Sequence, residues 1–282
     1  MKKILCICLT LAALFALAAC GGKSDPAASS STEAAAETDY KPSYAAVVDS
    51  YETKYGEWVS KEKESSVDDY GTGVLFCDLF DWDRDGVPEL FVGYNTENEE
   101  HLLLSDLEVF TFARGDARRI LHAKPGRAYL NTSSYQDFGF ALEKDGTIAL
   151  CLTHTESEWD TEEITQYRFR DGKVTSEELF AQAKDYDKES DEPPELNVFR
   201  IDGKDVSKAQ YDKAKLEKKD NMLYIVCSRI DYTALKDFLQ GTADSFRCAF
   251  LTNEALHIDE PDGSDSESGR VPAWVTGLAS KF

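Results

Sequence analysis

One short stretch of the sequence combines residue types and spacing that suit metal binding. It runs from Asp81 to Glu89 with the sequence DWDRDGVPE, which has acidic residues at positions 1, 3, 5 and 9 and glycine at position 6. Ca²⁺ takes about six to eight oxygen ligands in a flexible geometry. Alternate aspartates on a tightly curled loop point their carboxylates inward, and Gly86 supplies the sharp turn. The stretch therefore predicts a calcium site.

The predicted ligands are four side chains and one backbone carbonyl. They belong to Asp81, Asp83, Asp85 and Glu89, with Val87 as the carbonyl donor. Glu89 closes the site directly or through a water molecule. The alternative is a solvated acidic turn, but four carboxylates within nine residues repel one another unless a cation lies among them. Calcium is therefore the favoured interpretation.

The stretch resembles the EF-hand calcium loop, except that position 12, where the EF-hand has a bidentate glutamate, is Val92. Strand-like runs flank the loop, at residues 74–80 and 90–94. The stretch is more similar to the calcium-binding β-hairpins of integrin-like FG-GAP repeats. It also resembles the Asp-x-Asp-x-Asp-Gly-x-Pro-Glu-Leu segment of many surface lipoproteins of Firmicutes. The resemblance implies a calcium-stabilised β-protein at a cell surface and implies no reaction.

The first twenty residues carry an export signal. Lys2 and Lys3 precede an apolar run at residues 4–17, which is typical of a secretory signal and short for a permanent membrane span. The run ends in the sequence LAAC, which resembles the lipobox of bacterial lipoproteins with Cys20 as the lipidated residue. We expect an exported protein, lipid-anchored to the outer face of a bacterial membrane. The alternative is an ordinary signal peptide followed by an incidental cysteine.

These signals divide the chain into four predicted parts. Residues 1–19 are the lipoprotein signal peptide, and residues 20–39 are the lipid anchor and a flexible linker rich in Gly, Ser, Ala, Thr and Glu. Residues 40–253 form a β-rich globular region that contains the calcium-binding hairpin. Residues 254–282 form an acidic C-terminal tail.

Apolar periodicity and turn dipeptides predict the fold class. Aromatic residues spaced by three and four predict an amphipathic helix over residues 43–60. Asp-Gly dipeptides between later apolar runs predict β-hairpins, because glycine accepts the positive φ of a tight turn. A capping-box pair, Ser207 and Gln210, predicts a helix over residues 208–218, and a second follows at 232–239. The predicted strands span residues 74–80, 90–94, 107–113, 119–121, 138–143, 147–153, 164–170, 173–179, 198–201 and 223–228.

The expected fold is α+β, mostly an antiparallel β meander of hairpins with an N-terminal amphipathic helix and short C-terminal helices. Four cysteines lie in the globular part, and three of them stand within apolar runs, where a thiol behaves as a small hydrophobic group. We expect these thiols to be buried, and the sequence leaves open whether two of them form a disulfide. These cysteines are Cys77, Cys151, Cys227 and Cys248.

The net charge and the absence of common catalytic motifs argue against several classes of function. With 31 basic and 53 acidic residues, the net charge of -22 argues against nucleic-acid binding. The sequence has no GxSxG, HExxH or phosphate-binding glycine loop. It favours a non-enzymatic, extracellular calcium-binding surface protein that contacts the membrane through its lipid only and has an unknown protein or glycan partner. The alternative is a calcium-stabilised extracellular enzyme acting on polysaccharide or peptidoglycan, which requires a cleft containing a carboxylate of raised pKa.

Overall fold

Apolar runs separated by tight turns make most of the chain β-strand. The computed structural model describes residues 39–60, 71–96, 104–125, 135–156, 161–183, 196–219, 221–225 and 231–251. The predicted signal peptide, Cys20, Cys227 and the acidic tail lie outside these residues. Within the described ranges, no helix has both the length and the apolar character needed to cross a membrane.

The first sheet has five antiparallel strands that lie side by side in chain order. They are β1 (Val59–Ser60), β2 (Gly71–Phe80), β3 (Glu89–Asn95), β4 (Asp106–Ala113) and β5 (Asp116–Ala123).

The second sheet has seven antiparallel strands in the order β11-β10-β9-β8-β7-β6-β12. Its strands are β6 (Tyr135–Leu142), β7 (Ile148–Glu156), β8 (Thr161–Arg170), β9 (Lys173–Ala183), β10 (Leu196–Ile201), β11 (Lys204–Asp205) and β12 (Met222–Ile225). Six strands form a meander, and β12 returns to pair with β6. The predicted α+β class and the meander of hairpins are confirmed.

In three of the described hairpins, the two central residues of the turn both have positive φ. The φ values are 58° and 80° at Arg114-Gly115, 52° and 70° at Asp171-Gly172, and 50° and 69° at Asp202-Gly203. Positive φ at both central residues defines a type I′ turn, whose twist matches that of the flanking strands. The hairpin expected at Asp171-Gly172 is therefore present.

Among the described residues, three helices lie outside the sheets. They are α1 (Lys41–Tyr55), α2 (Lys208–Lys219) and α3 (Thr233–Leu239), followed by a 3₁₀ turn at Ala249–Leu251. The start of α2 carries the expected capping box: the Ser207 amide donates to Gln210 Oε1 at 3.0 Å, and the Gln210 amide donates to Ser207 Oγ at 3.3 Å. Both predicted C-terminal helices are confirmed to within one residue at each end.

The first helix is shorter than its aromatic pattern predicts. It ends at Tyr55, because Gly56 takes a positive φ of 81° and leaves the helix. Trp58, which continues the aromatic spacing, lies instead in the core between the two sheets. Val59 and Ser60 form β1 and pair with β2.

The main hydrophobic core lies between the two sheets. Phe80 of the first sheet stacks on Phe140 of the second, with ring centroids 4.3 Å apart. Helices α1 and α3 cover the other face of the first sheet through Tyr44, Val48 and Leu235, whereas α2 covers the outer face of the second sheet. The order of the layers is helix, sheet, sheet, helix. The described cysteines, Cys77, Cys151 and Cys248, are buried and form no disulfide.

Candidate metal centre

The acidic stretch forms the loop that joins β2 to β3. Phe80 and Glu89 are the last paired residues of this hairpin, so residues 81–88 make up the loop. Arg84 and Gly86 take positive φ values of 66° and 95°, which curl the backbone back on itself. The loop therefore has the tight curvature that the sequence predicts.

Hydrogen bonds from loop amides orient the aspartate side chains. Asp83 Oδ1 accepts from the amide of Asp85 at 3.2 Å, and Asp81 Oδ2 accepts from the amide of Gly86 at 3.2 Å. Asp85 Oδ1 accepts from the amide of Val87 at 2.8 Å. These bonds are of the aspartate-turn kind, in which a short polar side chain folds back onto its own backbone.

The structure brings three of the four predicted carboxylates together. Asp81, Asp83 and Glu89 each offer one oxygen within 4.8 Å of the others. Asp85 is exposed and is not part of this group. The group has a buried side, formed by Asp81 and Glu89, and a more open side at Asp83.

One oxygen in this group has no partner. Asp81 is only 8% exposed, and its Oδ1 atom is buried without a hydrogen bond from any described residue. A buried acceptor that has lost water and gained no donor costs about 1–3 kcal/mol, and more when the group is charged. A cation at this position satisfies the oxygen, so the group is one that could hold a metal ion.

Glu89 forms the base of the site and is 1% exposed. Its Oε2 accepts from the amide of Trp82 at 2.9 Å, and its Oε1 accepts from the hydroxyl of Thr111 at 3.1 Å. Burial nevertheless raises the pKa of Glu89 to about 8. Without a nearby positive charge, the glutamate is therefore largely protonated at neutral pH.

The two neighbouring aspartates are shifted in the same direction. Burial, followed by the charge of Asp85, raises the pKa of Asp83 to about 6 and also raises the pKa of Asp81. Desolvation and mutual repulsion are the two effects that a bound cation opposes, since positive charge favours the ionised carboxylate. The electrostatics of the site thus fit a cation.

The loop is held in place by both sheets and by α1. The hydroxyl of Tyr44 donates to the carbonyls of Pro88 at 2.9 Å and Phe110 at 3.3 Å. The indole Nε1 of Trp82 donates to the carbonyl of Ile148 in the second sheet at 2.8 Å. Sequence reasoning did not link Tyr44 or Thr111 to the loop, because no local spacing connects them to it.

A second buried polar cluster lies on the face of the first sheet that packs against α1. Glu108 accepts from Tyr94 at 2.9 Å on one oxygen, and from Tyr51 and Arg119, each at 2.7 Å, on the other. Although burial raises the pKa of Glu108, these donors outweigh burial and leave the pKa below its ordinary value. Because both carboxylate oxygens are paired, this cluster is a structural network and offers no free ligand atom.

Comparison of the chain with protein-family models, with curated proteins and with solved structures finds no match. The chemical character of the β2–β3 loop is therefore the guide to function. Its grouped ligand atoms are all carboxylate oxygens, which are the donors that hard divalent cations prefer.

Proposed function

We propose that this chain is a lipid-anchored, extracellular calcium-binding surface protein that acts as a non-enzymatic binding or structural module. The observation that carries the calcium proposal is the buried, unpartnered Oδ1 of Asp81, with two further carboxylates within 4.8 Å. The proposed ligands are Asp81, Asp83, Asp85, Glu89 and the carbonyl of Val87.

The donor set favours calcium over other metals. The group contains no histidine or cysteine, which are the ligands that select zinc and copper. Mg²⁺ demands a near-ideal octahedron and gives up its waters reluctantly. A loop that combines two buried carboxylates with more exposed ones is better suited to the larger, geometrically tolerant Ca²⁺.

In this proposal, calcium has a structural role. Extracellular calcium modules work with dissociation constants of about 10⁻⁴–10⁻³ M, so even a weak site is filled at a cell surface. A ligand that binds only the folded state adds its binding free energy to stability. The LAAC sequence at residues 17–20 supports the lipid anchor, since a lipidated cysteine with more than one acyl chain holds stably to a membrane.

The calcium proposal is tested by thermal unfolding of the full chain after chelation, with Ca²⁺ and Mg²⁺ titrated separately. We expect calcium to raise the melting temperature; at ten times the dissociation constant it adds about 1.4 kcal/mol to the free energy of unfolding. Asp81→Asn keeps the shape of the side chain but removes its charge. This variant should lose most of the calcium response.

Asp202→Asn is the matched control, because Asp202 is an exposed aspartate in the β10–β11 turn. It should respond to calcium as the wild type does. A wild-type chain that shows no calcium-specific rise, or an Asp81→Asn variant that rises as much as the wild type, would contradict the proposal.

A further inference from the structure

A polar groove begins at the acidic loop and continues over the second sheet. It has two adjoining compartments, with volumes of about 450 and about 420 Å³. The first is lined by residues 82–85, by the β6–β7 turn and by the β8–β9 turn. The second extends along β8 and β9, and Asp145 and Arg170 line both compartments. We call the two compartments together the loop groove.

The loop groove is more basic than the rest of the chain. Four basic and five acidic side chains line it, whereas the whole chain has 31 basic and 53 acidic residues. One bound Ca²⁺ would balance two of the four charges of its proposed ligands Asp81, Asp83, Asp85 and Glu89, of which Asp83 and Asp85 line the groove. The side chains of Arg84 in the first compartment and Lys173 in the second form no ion pair with any described residue, and the Arg84 guanidinium makes a single 3.4 Å hydrogen bond, to the carbonyl of Gly146. Unpaired cations in both compartments favour an anionic ligand.

The proposed calcium ion would be accessible from this groove. Five ligands that give one oxygen each leave at least one of the about six to eight coordination positions of calcium unfilled. Asp81 and Glu89 are buried beneath the loop, whereas Asp83 and Asp85 line the first compartment. An ion held by Asp83 and Asp85 would therefore lie at the wall of the groove, where an oxygen of a ligand could complete its coordination.

The large apolar side chains at the loop groove are almost fully buried. Trp82, Ile148 and Phe169 line it, but they are at most 3% exposed. Its accessible groups are guanidinium, ammonium, hydroxyl and carboxylate groups. A chain rich in hydroxyls matches such a surface, because each hydroxyl both donates to carboxylates and accepts from cations. An acidic peptide lacks those hydroxyl donors and gains no apolar pocket here.

We propose that the loop groove binds an acidic polysaccharide. A uronate carboxylate coordinates the calcium ion beside Arg84, and sugar hydroxyls pair with Asp145 and Arg170 and approach Lys173 further along. This inference rests on the proposed calcium site and names the class of partner for it.

The test is titration calorimetry of the full chain with trigalacturonate at saturating calcium and in a chelator. We expect binding in calcium only. The double variant Arg84→Gln/Lys173→Gln should weaken it about a hundredfold, because each of the two lost charge-assisted contacts is worth roughly a factor of ten. Arg118→Gln/Lys204→Gln removes the same charge from exposed positions outside the groove and should bind as the wild type does.

Two further ligands and a calcium titration separate the outcomes. Maltotriose has the hydroxyls without the carboxylates, and triglutamate has the carboxylates without the sugar; weak or absent binding of both supports the proposal. Equal binding of triglutamate, or equal weakening by the two double variants, overturns the polysaccharide assignment. If calcium binds and trigalacturonate does not, the inference is wrong while the calcium proposal stands. If calcium does not bind, the calcium proposal fails as well.

Discussion

Asp78 is a fully buried carboxylate near the C-terminal end of β2. Its Oδ2 accepts from the amide of Phe250 at 2.7 Å and from the thiol of Cys248 at 3.3 Å, and its Oδ1 accepts from the amide of Leu79 at 2.8 Å. This side chain therefore holds the 3₁₀ turn at Ala249–Leu251 against the first sheet. Burial outweighs these hydrogen bonds and raises the pKa of Asp78 from 3.8 to about 7.

This raised pKa predicts a pH dependence of stability. The folded state binds the proton of Asp78 more tightly than the unfolded state, so the stabilising contribution is complete below pH 3.8 and is lost as the pH rises through about 7. Relative to Asp78→Asn, which cannot ionise, the wild type should lose on the order of 4 kcal/mol of unfolding free energy over this range. Urea denaturation at saturating calcium measures the difference. Parallel pH curves for the two proteins would contradict the assignment.

At the scale of elements, the features that depend on neighbouring residues were predictable. The type I′ turns follow from dipeptides such as Asp171-Gly172, and the start of α2 follows from Ser207 and Gln210. The end of α1 was misjudged, because Trp58 continues the helical spacing although it packs between the sheets. The spacing of apolar residues indicates which side chains are buried, but it does not indicate which hydrophobic core each of them belongs to.

Some features of the candidate site were likewise predictable from the local sequence, and others were not. The grouping of Asp81, Asp83 and Glu89 follows from their spacing on one curled loop. The contacts of Glu89 with Thr111, and of Pro88 with Tyr44, depend on β4 lying beside β3 and on α1 covering the sheet. Such contacts are set by strand order and layer order, which no local pattern in the sequence specifies.

Helix α1 contacts the β2–β3 loop through the hydroxyl of Tyr44. Tyr44→Phe removes the donor to the carbonyls of Pro88 and Phe110, so we expect a loss of about 1–3 kcal/mol in unfolding free energy. Since Pro88 precedes the ligand Glu89, calcium affinity should fall as well. Denaturation and calcium calorimetry on the same variant measure the two effects.

Tyr211→Phe is the control for the Tyr44→Phe variant. The Tyr211 hydroxyl is also buried and donates to Glu162 at 3.2 Å, but Tyr211 belongs to α2, on the opposite side of the molecule. This variant should lose stability without any change in calcium affinity. If both variants change calcium affinity equally, α1 does not support the loop.

At the scale of the whole molecule, the loop connects the two sheets. Trp82 bonds to Ile148 and Arg84 to Gly146, both in or beside β7 of the second sheet. We therefore expect calcium removal to speed amide hydrogen exchange in residues 81–88 and also in the β6–β7 turn at residues 143–147. Helix α2, which lies behind the second sheet, should exchange at an unchanged rate. Faster exchange confined to residues 81–88 would show that the loop does not couple the sheets.

Phe250 lies at the centre of the core between the sheets, fully buried and edge-on to Phe76 and Phe91. Its amide bonds to Asp78, which precedes it by 172 residues. A polypeptide that emerges from a ribosome with its N-terminus first presents the strands of both sheets before this ring appears. Contacts so distant along the sequence form late, because the intervening chain must first be ordered. The two sheets therefore cannot complete their common core until Phe250 has emerged.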